Sequence, residues 1–382
     1  MFAPQSGALG LGGVTRCLAL ATMAATRGHR VSFLVPPSYA LLNQYPVGDR
    51  IATPRPDSRL AGVGEASSLL QSLEIRGMLD PDYMRSAVKA ELDAYRKWKP
   101  DVVITENQLT VPISAAVARI PFAATAATIN LDSFSADGGR FATTGAGAAV
   151  HAILRESGLD DVETVEQLMH EHASLNIAPT IHELEPLLTA LPQVLFAGPI
   201  LFSPVELARG PVGRRASGRR VLVYLSKGLV TLENLAATLA AAFPAHSNTI
   251  IVAEREARQA QIAEYRRSYG MLVARMPGLT AALSNTDLVV TRGGQNMLMA
   301  SLLAGRPIIG TPGGSAEPMF NLAALESYGA AVSIPGVPTA GQFAEAVAKL
   351  DSHDAPERSR RLGAQLRRHL GAADVLRVLE AW

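Results

Sequence analysis

Short apolar runs that end in turn residues alternate with longer amphipathic stretches along the first half of the chain. The apolar runs lie at residues 1–4, 30–35 and 101–105, and a helical pattern of apolar positions covers residues 14–26. Buried runs that alternate with helices are typical of a parallel α/β sheet. The first half is therefore predicted to form one doubly wound α/β domain.

The same pattern begins again in the second half. Residues 203–218 are rich in Pro, Gly and Arg and indicate a linker. Beyond it, strands are predicted at residues 220–225, 249–253, 271–274, 288–291, 308–311 and 331–334, and one terminal helix at residues 356–382. Two doubly wound domains are expected, with a ligand in the cleft between them.

Two tracts of the first half carry no strand pattern. Residues 62–98 have charges at helical spacing and are predicted to be mostly helical. Residues 132–148 are rich in Gly, Ala, Ser and Thr and are predicted to be a loop. The apolar side chains of these tracts either shape a binding pocket or belong to the core, and the pattern leaves both open.

Composition narrows the class of protein. A chain of 382 residues with 48% hydrophobic residues, 18% charged residues and a net charge of +1 suits two globular domains. Such a weak net charge does not favour nucleic acid or a charged membrane surface as the main partner. The sequence has no long apolar span and no secretion signal, so the cytoplasm is the expected location.

Cys17 is the single cysteine, which excludes an intramolecular disulfide and a zinc site built on cysteines. It falls on the apolar face of the first predicted helix, and core packing is expected for it. Asp80-Pro81-Asp82 is the one Asp-x-Asp sequence. It is interpreted as the start of a helix and not as a metal site.

The best candidate for chemistry is the glycine pair that follows the predicted strand at 288–291. Arg292, Gly293 and Gly294 lie between this strand and a predicted helix, and Asn296 is expected to cap that helix. Backbone N–H groups at a helix start bind anions, and glycine lets an anion come close to the main chain. Beside a guanidinium, the expected anion is a phosphate or diphosphate. Such turns also occur where nothing binds.

The same segment resembles the donor-binding segment of GT-B glycosyltransferases. That segment has a His-Gly-Gly-x-Gly/Asn-Thr/Ser run, a helix, a Gly-x-Pro strand, a proline and an Asp-Gln-x-x-Asn box. This chain has RGGQNM at 292–297, GRP at 305–307, Pro312 and EPMFN at 317–321. It departs from the family in having Arg292 for His, Met297 for the hydroxyl residue and Pro318 for Gln.

The N-terminal half has a second similarity. GLGGVTRCLA at 10–19 and RGHRV at 27–31 resemble the first loop and helix of bacterial GT-B enzymes of the macrolide and aglycone type. The resemblance implies a GT-B fold, which consists of two Rossmann-like domains facing across a cleft. The implied parts are an acceptor domain at 1–200, a linker at 201–218, a nucleotide-sugar domain at 219–360, and a helix at 361–382 that packs back on the first domain.

This resemblance implies transfer of a sugar from a TDP- or UDP-sugar to a small hydrophobic natural-product acceptor, with inversion. No metal or other cofactor is expected, because such proteins stabilise the leaving diphosphate themselves. The implied partners are the nucleotide sugar and the aglycone. The oligomeric state stays open, with a homodimer as one option.

The resemblance also implies a set of donor-binding residues. Glu317 would bind hydroxyl groups of the sugar, although an acid in the first turn also favours a helix dipole. Arg292 could instead form a salt bridge, and Met276 could belong to the core. The full set is Arg292, Gly293, Gly294, Gln295, Asn296, Glu317, Ser226, Gly228 and Met276.

The first loop, at Gly12, Gly13 and Val14, departs from the family. The family's His base would fall on Gly13, which cannot take a proton. Glu106 and then Asp132 are the candidate replacements. Otherwise the acceptor needs little deprotonation, or the protein is a nucleotide-sugar hydrolase or epimerase, or it is a non-catalytic nucleotide-sugar-binding subunit.

Overall fold

The structure is a computed structural model that describes residues 1–4, 11–37, 42, 44–57, 66, 68–135, 139–141, 147–202, 218–225, 230–254, 259–275 and 279–382. The chain forms two compact units. Unit 1 contains Met1–Phe202 and His369–Trp382, and unit 2 contains Ser203–Arg368. Each unit has its own parallel sheet.

The strands and helices alternate along both units. The strands are β1 Phe2–Pro4, β2 Ser32–Val35, β3 Asp49–Ala52, β4 Val103–Glu106, β5 Phe122–Thr125, β6 Leu175–Ala178, β7 Val194–Phe196, β8 Arg220–Tyr224, β9 Thr249–Glu254, β10 Leu272–Arg275, β11 Leu288–Thr291, β12 Ile308–Gly310 and β13 Ala331–Ser333. The helices are α1 Leu11–Thr26, α2 Leu69–Ile75, α3 Pro81–Trp98, α4 Thr110–Ala118, α5 Gly147–Glu156, α6 Leu232–Ala242, α7 Gln259–Tyr269, α8 Leu279–Ser284, α9 Gln295–Leu303, α10 Ala316–Ser327, α11 Ala340–Ser352, α12 Ala355–Leu366 and α13 Ala372–Leu379.

The sheet of unit 1 has seven strands in the order β3-β2-β1-β4-β5-β6-β7. All neighbouring strands are parallel, and Pro4 of β1 pairs with Glu106 of β4. The order reverses between β1 and β4, because the chain first moves outward to β3 and then returns. A reversal of this kind leaves a crevice at the carboxyl ends of the two central strands.

Helix α1 packs on this sheet through apolar side chains that recur at helical spacing. Cys17 and Leu18 are fully buried in it, which confirms the prediction that the cysteine belongs to the core. The helix ends before Gly28, whose φ of +88° is left-handed. Val375 and Leu376 of α13 lie in the same apolar cluster, so residues from the end of the chain complete the core of unit 1.

Helix α3 begins at a side-chain cap. The Asp80 carboxylate accepts hydrogen bonds from the backbone N–H groups of Asp82 and Tyr83, and Pro81 occupies the first turn. Proline suits this position because a backbone N–H in the first turn would have no partner within the helix, so its absence costs nothing. The interpretation of Asp80-Pro81-Asp82 as a helix start is therefore confirmed. The helix ends at Lys99, which is left-handed, before Pro100.

A buried polar cluster joins α3 to α4. The Glu91 carboxylate, 1% exposed, accepts hydrogen bonds from the hydroxyls of Thr110 (2.5 Å) and Ser114 (2.6 Å). The Gln108 amide donates to Thr110 and to the Tyr83 hydroxyl, both at 2.9 Å. Burial raises the pKa of Glu91 to about 7, against the opposite effect of these hydrogen bonds.

Unit 2 repeats the arrangement with six strands in the order β10-β9-β8-β11-β12-β13. Its order reverses between β8 and β11, where Thr291 pairs with Tyr224. One apolar cluster packs a single face of this sheet, represented by Val221 and Val290, against helix residues such as Leu235 of α6. The five strands predicted from residue 249 onward and the one at 220–225 are confirmed to within one residue at each end.

The prediction of one terminal helix is wrong. The segment forms α12 and α13, and the chain turns between them at Gly371, which has a φ of +59°. The Gly371 N–H donates to the Ala197 carbonyl at 2.9 Å, and a Cβ at Gly371 would lie 2.3 Å from the Pro199 carbonyl oxygen. Only glycine fits this close approach, and it separates the two helices.

The sequence pattern missed β3, β5 and β6. Strand β3 is largely exposed or half-buried, so it has no continuous apolar run. Strand β5, with the sequence FAAT, is rich in alanine, which is depleted in strands. In the tract predicted to be a loop, Asp132–Phe134 forms a 3₁₀ turn and α5 begins at Gly147. Residues 136–138 and 142–146 of that tract, and 203–217 of the linker, lie outside the described residues.

No helix of the described ranges is long and apolar enough to cross a membrane.

We expect Glu91→Gln to stabilise the protein at neutral pH and to do so less in acid. The pKa of Glu91 is about 7 in the folded protein, above the ordinary 4.5. Folding therefore takes up a proton at pH values between about 4.5 and 7. The wild type therefore loses stability as the pH rises from about 4.5 to 7, by about 3 kcal/mol, and the amide does not. Unfolding midpoints of both proteins at pH 5 and pH 8 check this.

Glu156→Gln is the matched control. Its exposed carboxylate pairs with Arg85, which lowers the pKa of Glu156 through a hydrogen bond. Any stability from this pair is present at neutral pH and is lost in acid, so the pH dependence has the opposite sign. Parallel pH curves for Glu91→Gln and the wild type would contradict the raised pKa of Glu91.

Candidate functional site

The glycine turn, defined as Arg292, Gly293 and Gly294, connects β11 to α9. It leaves the carboxyl end of a fully buried strand at the point where the strand order of unit 2 reverses. The N-cap of α9 is Gly294, which has no side chain with which to form a cap hydrogen bond. The prediction that Asn296 caps this helix is wrong, because the helix begins at Gln295 and Asn296 already lies within its first turn.

Gly293 is required by both conformation and space. Its φ is +105°, and a Cβ there would lie 2.8 Å from Leu322 Cδ1 and 3.0 Å from the Pro318 carbonyl oxygen. The Asn321 side-chain amide donates a hydrogen bond to the Gly293 carbonyl at 3.2 Å. The turn is therefore held in place by α10, which contributes all three of these residues.

Gly294 has the opposite surroundings. It is exposed, and a Cβ built on it would meet no atom within 4 Å. Its φ of −65° and ψ of 134° suit any residue, so neither strain nor packing explains a glycine here. The main chain at Gly294 faces open space, which is what close approach of a ligand to the backbone needs.

Arg292 lies between two helix starts. Its guanidinium donates a hydrogen bond to the hydroxyl of Ser315, the N-cap residue of α10. Helices α9 and α10 follow the neighbouring strands β11 and β12, in which Thr291 pairs with Gly310. Both helix N-termini thus follow the same edge of the sheet and add their positive dipole ends to the cation. This edge suits an anion with several oxygens.

The remaining donor-side residues differ in their surroundings. Glu317 is exposed in the first turn of α10. Gln295 is 6% exposed and begins α9. Asn296 is half-buried. Ser226, Gly228 and Met276 lie outside the described residues.

In unit 1 the prediction of a first loop at residues 12–14 is wrong. Gly12, Gly13 and Val14 do not form a loop, because α1 begins at Leu11 and all three are helical. Val14 is 1% exposed and belongs to the core cluster of unit 1. Both glycines lie in the first turn of this helix.

Glu106 lies directly beside Gly13. It ends β4 and is 2% exposed, and its Cγ would be 2.3 Å from a Cβ built on Gly13. The guanidinium of Arg16 binds the carboxylate through two contacts, Nε to Oε2 at 3.1 Å and Nη2 to Oε1. Sequence reasoning missed Arg16, although its position one turn after Gly13 puts both on one face of α1.

The groups near Glu106 include the buried Cys17 thiol and the side-chain amide of Asn107. Burial raises the pKa of the Cys17 thiol well above its ordinary value, and the negative charge of Glu106 raises it further. Asn107, which follows Glu106, is left-handed with a φ of +53°, and its Oδ1 accepts a hydrogen bond from the Asn130 amide at 2.9 Å. Polar groups therefore gather at the carboxyl ends of β4 and β5.

Asp132, the second candidate base, lies seven residues after the end of β5. Its backbone N–H donates to the Glu166 carboxylate at 2.6 Å. Burial raises the pKa of Glu166, and the hydrogen bond from the Asp132 backbone opposes this shift. The apolar side chains of the helical tract, among them Leu70, Leu73 and Met84, lie in the core, which supports the core interpretation of that tract.

No protein-family model and no curated protein sequence matches the chain. Solved structures do. The glycotransferase of kitacinnamycin matches with a TM-score of 0.77 and 20% identity over 100% of this chain and 97% of that chain. The calicheamicin glycosyltransferase CalG4 matches with a TM-score of 0.76 and 18% identity over 100% and 97% of the two chains. This chain has the GT-B fold.

A further GT-B structure contains a ligand. The glycosyltransferase SsfS6 of Streptomyces sp. SF2575, complexed with thymidine diphosphate, matches with a TM-score of 0.65 and 20% identity. The match covers 100% of both chains. At these identities the likeness establishes the GT-B fold of this chain, as the resemblance of its motifs implied.

The two glycines of the turn are expected to respond differently to alanine. Gly293→Ala should lose about 1–3 kcal/mol of stability from its left-handed φ, and the contact with Leu322 adds to this loss. Gly294→Ala should leave the unfolding midpoint unchanged, since its backbone angles and its space accept a methyl group. Thermal unfolding of both variants checks this. Equal losses would contradict the geometry described for the turn.

Proposed function

We propose that this protein is a glycosyltransferase that moves a sugar from a nucleotide diphosphate donor, a TDP- or UDP-sugar, to a small hydrophobic natural-product acceptor. The observation that carries the proposal is the glycine turn. It combines a guanidinium, an open stretch of main chain at Gly294 and two helix N-termini at the edge of the sheet where the strand order reverses. The GT-B structure with thymidine diphosphate supports a nucleotide diphosphate as the ligand.

In this proposal the turn stabilises the leaving group. Two phosphate groups gain negative charge when the bond from the anomeric carbon to the phosphate oxygen breaks. Arg292 offers a fixed cation whose planar fork suits phosphate oxygens, and the helix starts offer N–H groups. Gly293, Gly294, Gln295 and Asn296 shape this cradle, and Glu317 accepts hydrogen bonds from hydroxyl groups of the sugar. Ser226, Gly228 and Met276 complete the proposed donor side.

The reaction is proposed as a single displacement. The acceptor oxygen loses its proton to a base and attacks the anomeric carbon, and the nucleotide diphosphate leaves with the electron pair of the broken bond. Attack opposite the leaving group inverts the configuration. Glu106 is the proposed base, and Asp132 is the alternative. Catalysis by such a base typically contributes about 100- to 10,000-fold.

Arg292→Ala should weaken binding of thymidine diphosphate roughly 10- to 100-fold, because hydrogen bonds to charged groups contribute about 1.5–3 kcal/mol. Gly294→Ala should also weaken binding while the protein stays as stable as the wild type. Calorimetric titration with thymidine and uridine diphosphates measures both effects. Release of diphosphate from the matching sugar nucleotides, with and without a panel of hydrophobic aglycones, measures turnover.

Arg219→Ala is the charge-matched control. Arg219 lies just before β8, at the amino edge of the same sheet, and pairs with Asp351 on the surface, so its loss should not change nucleotide affinity. Release of free sugar without an acceptor would favour a hydrolase. Binding without any turnover would favour a non-catalytic subunit. Equal affinity in wild type and Arg292→Ala would contradict the donor site itself.

Transfer is proposed to need no metal ion. Within the described residues, no three His, Cys, Asp or Glu side chains are grouped so that they could hold one, and the Asp80 carboxylate caps a helix. We expect equal rates of diphosphate release in EDTA and in Mg²⁺. A rate that falls in EDTA and returns with Mg²⁺ would contradict the assignment of charge stabilisation to Arg292 and the helix starts.

A further inference from the structure

Gly13 is helical, so its backbone conformation does not require glycine. It is the third residue of α1, and alanine would favour this helix more than glycine does. The requirement comes from outside the helix. A Cβ at position 13 would lie 2.3 Å from Glu106 Cγ, 3.0 Å from Cδ and 3.2 Å from Oε1. The carboxylate of β4 therefore occupies the space that a side chain at position 13 would fill.

Arg16 fixes the carboxylate in that space. It lies three residues after Gly13, on the same face of α1, and its Nε and Nη2 atoms each contact a Glu106 oxygen. The side chains are 13% and 3% exposed, so water has little access to the pair. Shielded charge pairs with two hydrogen bonds are held in one geometry, because a guanidinium fork matches a carboxylate.

We infer that Gly13 and Arg16 are positioning residues that hold Glu106 as the group that takes the acceptor proton. Gly13, Arg16 and Glu106 are called the carboxylate seat. The inference rests on the proposed transferase function. It also explains the departure from the family at position 13, because a histidine there would collide with Glu106.

Arg16 does not use every lone-pair site of the carboxylate. A carboxylate has about four lone-pair sites, and Arg16 uses two of them. In the transfer step the acceptor O–H proton moves to a Glu106 oxygen, the acceptor oxygen forms its bond to the anomeric carbon, and the bond to the diphosphate breaks. Arg16 keeps the receiving oxygen in position and takes no proton itself.

The steric part of the inference has a test that needs no substrate. Gly13→Ala should lower the unfolding midpoint, and the loss should shrink by at least half in a Glu106→Ala background, because the colliding atoms are then gone. Gly341→Ala is the matched control. Gly341 also lies in the first turn of a helix, and a Cβ there meets no atom closer than 4.0 Å, so its midpoint should not fall. Additive losses for positions 13 and 106 would overturn the steric part.

The catalytic part is tested by transfer from thymidine diphosphate glucose to 4-methylumbelliferone, a hydrophobic phenol whose ionisation can be followed optically. Glu106→Gln should lower kcat about 100- to 10,000-fold at a pH where the phenol is protonated. The defect should shrink as the pH rises and the phenol ionises, because an ionised acceptor needs no base. A purely structural role for Glu106 would give a defect that does not depend on phenol ionisation.

Arg16 is tested in the same assay. Arg16→Met should lower kcat about 100-fold through misplacement of the carboxylate, with an unchanged KM for the donor, and added guanidinium or Arg16→Lys should restore part of the rate. A Glu106→Gln variant that transfers glucose at the wild-type rate at every pH would overturn this inference and leave the proposed function standing. A wild type that binds no nucleotide and transfers no glucose would overturn the proposed function, and the inference with it.

Discussion

The parallel pairing of two central strands fixes where this protein can do chemistry. In each unit the chain leaves the first strand, moves outward, and returns to the other side of that strand, so β1 lies beside β4 and β8 lies beside β11. The connections on either side of such a reversal lead away from each other, which leaves a crevice outside the carboxyl ends of the two strands. Glu106 ends β4 and Arg292 follows β11, so both polar groups come from this single topological feature.

Three glycines near these strand ends have three different roles. Gly293 supplies a left-handed turn and admits Leu322, whereas Gly294 leaves the main chain uncovered and Gly13 makes room for a carboxylate from another strand. The sequence presents all three as members of glycine pairs. Only their surroundings in space distinguish a residue that the fold needs from one that a ligand needs.

The sequence predicted the elements that have strong local signals. The strands from 220 onward are continuous apolar runs bounded by turn residues, and Asp80-Pro81 is a local helix start, so both could be identified. The parts that were missed depend on distant partners. Strand β5 has an alanine-rich sequence with little strand preference, and it is held by pairing with β4 and β6. The pairing of Arg16 with Glu106 joins residues that are 90 positions apart, which no spacing rule indicates. The break at Gly371 depends on the backbone of Ala197.

The position of α13 has a consequence for how the protein is made. Val375 and Leu376 complete the apolar cluster of unit 1, yet all of unit 2 separates them in sequence from the sheet they join. During synthesis, unit 1 leaves the ribosome with part of its core uncovered, and it stays so while about 166 further residues are translated. A chaperone that binds exposed apolar surface would therefore find such surface on unit 1 until α13 emerges and completes the core.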